Sequence, residues 1–319
     1  MAENRNKLLY SIAKEYYLNN ATQKEIAEKF NINRVQVSNY LKEARQKNIV
    51  RFEIENPLAD ENEIYKKKIV ENFPVDNVRL AASPKKASKD NLLQVLAEKA
   101  GDYLNETVRS GEIIGAGWGS TVTRISEEFE CEKVLENISV VPLMGGSVEF
   151  SEEFQANGIC YELAKKFSGR YIPLLAPFYC DSQKEYDLYT NSSSVNKVMD
   201  LWSKLDRVII GIGSDFSRTP LMKLGGISAE EQTKLLDFRQ VGDILTHYFN
   251  FQGQVYKLDA QKNLINFPYE KFKKVRKDVI AVAGGVDKKE SIAGALNTGR
   301  ITTIILDGET ASRIVSDIS

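Results

Sequence analysis

Apolar side chains recur at helical spacing through the first fifty residues, which predicts three short helices. The first is expected over Asn6–Asn19, and the second begins after Thr22. The third begins near Arg34, after the turn residues Asn31-Ile32-Asn33. Two helices joined by so short a turn are typical of a helix-turn-helix unit. In the third helix we expect four apolar residues to point inward: Val35, Val37, Leu41 and Ala44.

A different pattern follows this helical segment. Apolar and polar residues alternate from Val50 to Ile54, which predicts a strand ended by Pro57 and favours a winged variant of the helix-turn-helix. Asp60–Asn72 is charged and predicted to be helical, either as a helix that links protomers or as a solvated connector. Its expected apolar contacts are Ile64, Ile69 and Val70.

From residue 77 onward, uniformly apolar strands alternate with helices, which indicates a parallel sheet covered on both faces. The fold class predicted is therefore α/β: an N-terminal helix-turn-helix followed by a Rossmann-like domain. We place the helix-turn-helix domain at 1–56, a linker or oligomerisation helix at 57–76, and the ligand-binding domain at 77–319. Strands are expected near 78–82, 113–117, 138–143, 171–175, 207–212, 279–283 and 302–306, and helices near 90–109, 122–129, 155–167, 194–202 and 288–297.

Composition and charge narrow the possible functions. The 319 residues carry a net charge of −1, yet residues 1–51 hold 10 Lys/Arg against 5 Asp/Glu. This local excess favours a nucleic-acid partner for the N-terminal segment. No apolar run approaches the ~20 residues that span a bilayer, and the N-terminus lacks the apolar core of a signal peptide, so we expect a cytoplasmic protein without a membrane partner. The three cysteines and single histidine lack metal-ligand spacing, so no metal is expected.

The polar residues around the predicted turn suit duplex DNA. Thr22 and Glu25 have the spacing of a capping box at the start of the second helix. Polar side chains at the start of the third helix can reach base edges in the major groove. The alternative is a purely structural hairpin. The candidate DNA-binding residues are Thr22, Gln23, Asn33, Arg34, Gln36, Ser38, Asn39 and Lys42.

Glycine loops follow several predicted strands, and parallel strands bring such loops to one edge of the sheet. The loop from Gly115 to Thr121 precedes a helix, where free backbone N–H groups favour a phosphate. It matches neither a P-loop nor a dinucleotide fingerprint. Lys288 adds a cation, and Asp243 is an acceptor for sugar hydroxyls or, alternatively, a helix or turn cap. The candidate ligand residues are Gly117, Trp118, Gly119, Ser120, Thr121, Gly145, Gly146, Gly211, Gly213, Ser214, Asp243 and Lys288.

In their order along the chain, these segments resemble the SorC family of bacterial sugar-binding transcriptional regulators. The matching segments are TQKEIAEKFNINRVQVSNYLKEARQKNIV, GAGWGST, VVPLMGG, VIIGIGS, VGDIL, VAGGVDKKESIAGAL and TTIILDGETA. The resemblance implies an operator-binding head and an effector domain similar to sugar-phosphate isomerases and deaminases. It also implies a phosphorylated sugar effector and a homo-oligomer, usually a tetramer.

Two departures from the family pattern bear on DNA recognition. Asn33-Arg34 stands where the family often has Ser-Arg, and Asn39 stands where a second arginine is common. Because asparagine pairs best with adenine and arginine with guanine, we expect Arg34, Gln36 and Asn39 to set an operator preference of this protein's own. A third departure, Ser291 in place of an alanine, is expected to matter little.

The leading interpretation is a DNA-binding transcriptional regulator of a carbohydrate-utilisation operon, controlled by a phosphorylated sugar and needing no cofactor. One alternative is a sugar-phosphate isomerase or deaminase. Such chemistry needs a positioned base and usually further acid/base groups, and only Asp243 stands among the glycine loops. A second alternative is an effector-independent DNA-binding protein, in which the C-terminal domain serves only to join copies of the chain.

Overall fold

The structure is a computed structural model, and it describes residues 2–47, 49–50, 59–82, 88–147, 155–214 and 219–318. The chain divides into two compact units, Met1–Ala59 and Asp60–Ser319. The predicted strand from Val50 to Ile54 and its end at Pro57 lie almost wholly outside the described residues, so the winged variant stays a prediction.

The first unit contains the predicted helices, α1 (Ala2–Tyr17), α2 (Gln23–Lys29) and α3 (Arg34–Gln46). The capping box at α2 is confirmed: the Thr22 N–H donates to Glu25 Oε2 at 2.7 Å, and the Glu25 N–H donates back to Thr22 Oγ1 at 3.3 Å. A second capping box starts α3, between Asn33 and Gln36. Side chains therefore satisfy backbone donors at both helix starts that border the turn.

A small apolar core holds the three helices together, with α3 at its centre. Val37, Leu41 and Ala44 are buried, as their spacing predicts, whereas the expectation for Val35 is wrong because its side chain is 69% exposed. One turn of a helix cannot bury residues 35 and 37 on the same face, since they are separated by about 200°. The remaining buried core residues are Leu9, Ile12, Ala13, Ile26 and Ala27.

Ionic contacts also join α1 to α3. Arg5 Nη2 lies 2.7 Å from Glu43 Oε2, and the Arg5 guanidinium lies 4.4 Å from the centre of the Tyr40 ring. The hydrogen bonds from Arg5 and Lys47 lower the pKa of Glu43 to about 2. Glu43 is therefore ionised at neutral pH and pairs with a cation on another helix.

The second unit is built on a parallel sheet, and the α/β fold class is confirmed. Within the described residues the sheet has seven strands, in the order β1-β9-β8-β5-β2-β3-β4, and a separate antiparallel hairpin is formed by β6 and β7. The strands are β1 (Asn77–Ala81), β2 (Ile113–Ala116), β3 (Ser139–Pro142), β4 (Arg170–Tyr171), β5 (Arg207–Gly211), β6 (Gln240–Ile244), β7 (His247–Asn250), β8 (Asp278–Val282) and β9 (Thr303–Asp307).

Helices precede, connect and follow these strands. They are α4 (Ala59–Asn72), α5 (Lys89–Thr107), α6 (Ser120–Glu128), α7 (Ala156–Lys166), α8 (Gln183–Thr190), α9 (Ser193–Leu201), α10 (Pro220–Lys223), α11 (Ala229–Asp237), α12 (Lys289–Asn297) and α13 (Gly308–Ile318). The sequence pattern did not predict α8, α10, α11, α13 or the hairpin. The predicted strand 171–175 is reduced to two residues at the edge of the sheet. Among the described helices, none is both long and apolar enough to cross a membrane.

The predicted helix over Asp60–Asn72 is present as α4, but only one of its three expected apolar contacts is buried. Ile69 is fully buried against the second unit's core, whereas Ile64 is 53% and Val70 43% exposed. Ile64 and Val70 are therefore not buried within a single chain, and the alternative of a helix that links protomers stays a prediction.

Buried charged side chains form ion pairs at the amino edge of the sheet. Arg207, the first residue of β5, lies 2.7 Å from Glu112 and 3.3 Å from Asp278, the first residue of β8. The Tyr103 hydroxyl donates to Asp278 at 2.6 Å, and Lys277 pairs with Glu112 at 2.8 Å. Each buried carboxylate therefore has a cationic partner, as burial of charge requires. The ligand residues predicted from the sequence lie at the opposite edge.

Candidate functional site

The direction in which successive strands are added to the sheet reverses between β2 and β5. From β2 the chain continues outward to β3 and β4, and from β5 it continues the other way to β8 and β9. The loops that leave two such strands separate, which opens a crevice at their carboxyl ends where α/β proteins bind ligands. The two loops here begin at Gly117 and at Ile212.

A cavity of about 240 Å³ occupies this crevice. Most of the predicted ligand residues line it, although they come from four separate parts of the chain. They are Trp118, Gly119, Ser120, Thr121, Gly211, Gly213, Ser214, Asp243 and Lys288, joined by Lys89, Ile212, Thr219 and Leu245, which the sequence pattern did not single out.

One wall of the cavity is the start of α6. Gly119 adopts φ 109° and ψ 155°, a conformation open to glycine, and the helix begins at the next residue, Ser120. Gly119 has no side chain to cap this helix, and the backbone N–H groups of the first turn have no intrahelical acceptor. Ser120 and Thr121 add hydroxyl groups, and this wall therefore suits an anion.

The cavity lining also carries a cation. Lys288 Nζ donates to the carbonyl oxygen of Ile212 at 2.9 Å, which holds the ammonium group at the end of β5. Burial lowers the pKa of Lys288, while the nearby carboxylates of Asp287 and Asp243 raise it. Lys89 lines the same cavity and contributes a second positive charge. Both lysines favour an anionic ligand in this crevice.

Asp243 reaches the cavity from the β6–β7 hairpin. Its backbone N–H donates to the Gly213 carbonyl at 3.1 Å, and the Gly213 N–H donates back to the Asp243 carbonyl at 2.9 Å. Asp243 Oδ2 accepts the Thr246 N–H at 2.9 Å, so one of the two carboxylate oxygens caps the turn, as the alternative prediction has it. Burial raises the pKa of Asp243 to about 6, against the opposing effects of Thr246 and Lys288. Its second oxygen lies over Gly213.

Three predicted ligand glycines are not among the lining residues of this cavity. A Cβ on Gly117 would lie 2.5 Å from Leu245 Cδ2, and one on Gly145 would overlap the backbone of Pro177. Both therefore serve close packing behind the loops. Gly146 instead lines a neighbouring cavity of about 670 Å³, together with Gln155 and Asp181. The Trp118 ring lines the crevice cavity and the Phe178 ring lines the neighbouring one, and the two ring centres are 4.6 Å apart.

The candidate DNA-binding residues form a mostly exposed face of the first unit, with Gln23 partly buried. Asn33 Oδ1 accepts the Gln36 N–H at 2.8 Å, and Gln36 Oε1 accepts the Asn33 N–H at 2.9 Å. These two side chains therefore use their oxygens to start α3. Val35 lies on the same exposed face, and the helical apolar pattern had assigned it to the core.

Acid–base and metal-binding groups are sparse around the cavity. His247 Nε2 lies 2.9 Å from the Phe267 carbonyl oxygen, and burial lowers the pKa of His247 to about 4. It is therefore neutral at physiological pH and buried beside Tyr269. Across the described ranges, no group of three or more His, Cys, Asp or Glu side chains could hold a metal ion.

Comparison with known proteins places the chain among regulators. A family model, Sugar-bind, described as "Putative sugar-binding domain", matches residues 59–316. The deoxyribonucleoside regulator of Bacillus subtilis (strain 168) is 26% identical over 100% of both chains. The sorbitol operon regulator of Klebsiella pneumoniae is 24% identical over 97% of this chain and 98% of that protein. The resemblance to sugar-binding transcriptional regulators is confirmed.

Solved structures agree on the fold. The crystal structure of the full-length sorbitol operon regulator SorC from Klebsiella pneumoniae matches with a TM-score of 0.78 at 23% identity, over 97% of this chain and 98% of that one. A transcriptional regulator from Streptococcus pneumoniae TIGR4 matches with a TM-score of 0.73 at 20% identity, over 81% of this chain and 98% of that one.

Proposed function

Because the chain belongs to the family of this sugar-binding domain, we propose that it is a cytoplasmic transcriptional regulator of a carbohydrate-utilisation operon. In this proposal the first unit binds double-stranded operator DNA, and a phosphorylated sugar in the crevice of the second unit sets the affinity of that binding. The relatives named above are a deoxyribonucleoside regulator and a sorbitol operon regulator, which supports this assignment.

The arrangement of charges in the crevice carries the proposal. The uncapped start of α6 faces the same cavity as Lys288, and the two together provide N–H donors and a positive charge for a phosphate. Asp243 offers a carboxylate oxygen at the same cavity, which suits a sugar hydroxyl. A phosphate and a hydroxylated carbon chain in one small molecule would satisfy both.

Regulation follows from linkage. If the sugar phosphate favours one state of the protein and DNA favours the same or the other state, each ligand changes the affinity of the other by the same factor. Such coupling is commonly about 1–3 kcal/mol, or roughly 5–150-fold. We propose a homo-oligomer, a dimer or tetramer, as the form that binds DNA. Ile64 and Val70 on α4 are exposed and available for contact with a second copy of the chain.

The cavity gives little support to an enzymatic role. A sugar-phosphate isomerase or deaminase needs a base and usually a second acid–base group near the reacting carbon. Among the described lining residues, Asp243 is the single carboxylate and no histidine is present. The uncapped helix start and the two lysines serve binding, and the proposal therefore assigns no catalytic residue.

A thermal-shift screen with sugar phosphates tests the effector part. A compound that binds only the folded state at 100 times its Kd adds about 2.7 kcal/mol of stability. Lys288→Met should abolish the shift, whereas Lys289→Met, whose lysine pairs with Asp317 at 2.7 Å, should retain it. The free sugar and inorganic phosphate should shift melting less than the sugar phosphate.

A DNA-binding assay tests the regulatory part. The full chain is used to select duplexes from a random library, and the selected duplex is then titrated with and without the sugar phosphate found in the screen. The proposal expects a change in affinity that Lys288→Met removes. Selected duplexes that bind equally tightly at every effector concentration would instead support the effector-independent alternative.

A further inference from the structure

A cation-rich segment leads into β8. Five cationic side chains occur between residues 271 and 277, preceded by one carboxylate, Glu270. Its apolar residues do not face outward, since Phe272 is buried and Val275 is partly buried against the core. The cations at this segment are Lys271, Lys273, Lys274, Arg276 and Lys277.

Tertiary contacts place this segment at the amino edge of the sheet, opposite the cavity. The Arg276 N–H donates to the Leu205 carbonyl at 3.0 Å, and the Lys277 N–H donates to the Asp206 carbonyl at 2.9 Å. The segment therefore runs alongside the loop that precedes β5, where Lys204 is exposed. We call the four exposed cations Lys204, Lys273, Lys274 and Arg276 the amino-edge cations.

The buried carboxylates at this edge are engaged within the protein, whereas Asp200 and Glu270 beside it are exposed. Glu112 is paired with Arg207 and Lys277, and Asp278 accepts from Arg207. Asp206 accepts the Ile113 N–H at 2.9 Å, which leaves its other oxygen 3.9 Å from Arg276. The buried carboxylates Glu112 and Asp278 are thus paired with Arg207, and the amino-edge cations lie at the surface.

The amino-edge cations are open to a partner. The Arg276 side chain is 57% exposed, and its contact with Asp206 is long for an ion pair. In the part of the chain that the structure describes, Lys204, Lys273 and Lys274 have no carboxylate within salt-bridge distance. Several separate cations on long side chains suit an extended array of phosphates better than a single small anion.

We propose that the amino-edge cations bind the phosphate backbone of duplex DNA without regard to sequence. This surface would add a second DNA contact, separate from the helix-turn-helix unit and from the crevice. Duplex DNA is favoured over a lipid surface because the large apolar residues of the segment are packed inward, so there is no apolar anchor to insert. This second DNA contact goes beyond the function proposed above, and that function can hold even if the second contact does not exist.

The salt dependence of binding to a 40-bp duplex of mixed sequence tests this proposal. Each phosphate contact contributes about 0.9 to the slope of log K against log salt concentration. Replacing Lys273, Lys274 and Arg276 by Gln in the full chain should lower that slope by about 2–3 and weaken binding at least about tenfold at ~100 mM NaCl. An unchanged slope would overturn the proposal.

A matched triple variant controls for net charge. Lys184→Gln, Lys234→Gln and Lys257→Gln remove the same charge from α8, α11 and the segment after the hairpin, and should leave the slope unchanged. An equal loss of slope in this control would also overturn the proposal, because the effect would then come from overall charge.

One double variant of the first unit separates the contributions. Arg34→Gln with Lys42→Gln should lower the slope further when combined with the amino-edge variant, because the two surfaces are separate. If that double variant alone removes all binding to the mixed-sequence duplex, the amino edge contributes nothing and the proposal is wrong. If the double variant does not change binding to the duplex, the proposed DNA-binding role of the first unit is wrong instead.

Anionic vesicles serve as the comparison partner. Binding to the vesicles that is tighter than binding to the duplex would mean that a lipid surface, and not DNA, is the partner.

Discussion

Asp243 and Gly213 share one small space at the edge of the crevice. Two backbone hydrogen bonds, of 2.9 and 3.1 Å, hold the two residues side by side, and a Cβ on Gly213 would overlap Asp243 Oδ1. Gly213 does not adopt a left-handed backbone conformation, so any residue is compatible with its φ. Glycine is therefore needed at 213 for the space that the carboxylate occupies.

Gly213→Ala should displace the Asp243 carboxylate and weaken effector binding without preventing folding. A single hydrogen bond to a charged group is worth about 1.5–3 kcal/mol, so the loss of affinity should be roughly ten- to a hundredfold. Titration calorimetry with the sugar phosphate found by thermal shift measures it. Gly158→Ala is the control, since a Cβ there meets nothing nearer than 4.0 Å and the residue lies within α7. Equal affinity for Gly213→Ala and wild type would mean that Asp243 does not touch the effector.

The pKa of Asp243 makes a prediction about stability. Because its folded pKa, about 6, lies above the ordinary aspartate value of 3.8, the folded state holds the proton more tightly. Stability from this group is present below pH 3.8 and is lost as pH rises towards 6. Asp243→Asn should therefore stabilise the protein at pH 7.5, by on the order of 1–3 kcal/mol, and have little effect near pH 4. Melting temperatures across this range check it, and a stabilisation that does not depend on pH would contradict it.

Arg207 should be the most sensitive position at the amino edge. Its removal leaves two buried carboxylates, Glu112 and Asp278, without their shared cation. Breaking a buried ion pair in this way costs about 3–5 kcal/mol. Arg207→Met should therefore unfold the second unit at much lower urea concentration. Arg170→Met, at the exposed first residue of β4, is the matched control and should change stability by less than about 0.5 kcal/mol.

The reciprocal cap between Asn33 and Gln36 predicts a local effect on the DNA-binding unit. Asn33→Ala removes the oxygen that accepts the Gln36 N–H, and the loss of such a cap costs about 1 kcal/mol. Hydrogen exchange in the first turn of α3 should accelerate about fivefold, while Asn33→Ser, which keeps an acceptor, should exchange nearly as slowly as wild type. DNA affinity should fall without a change in preferred sequence. A changed preference would mean that Asn33 contacts bases directly.

Val35 is expected to contact a thymine base of the operator. An exposed valine near the start of a recognition helix can contact the thymine methyl group, and neighbouring Asn39 can pair with adenine. Val35→Ala and Asn39→Ala should each relax preference at one position, by about 1–3 kcal/mol. Sequencing of library duplexes that bind each variant measures this. Lys42→Gln is the contrast, because loss of a phosphate contact weakens binding to all sequences alike; a uniform loss for Asn39→Ala would assign Asn39 to phosphate as well.

Local sequence determined the elements that depend on neighbouring residues. The capping box at Thr22 was readable from spacing alone, since both partners lie within one turn. The parallel strands were readable because strands buried on both faces are apolar along most of their length, as β5 and β8 are after their charged first residues. The glycine loops that follow these strands could be assigned to one edge of the sheet, because the carboxyl ends of parallel strands lie at the same edge.

Tertiary structure decided which of those loops share a cavity. Gly145 follows a strand just as Gly213 does, yet Gly145 packs against Pro177 while Gly213 leaves room for Asp243. The difference depends on strand order, because the crevice opens only where β2 and β5 lie side by side. The hairpin that carries Asp243 turns through Leu245 and Thr246, both with positive φ and neither of them glycine, so no turn signal marked it. Strand order and side-chain contacts are set by packing between distant segments, and spacing along the chain does not record them.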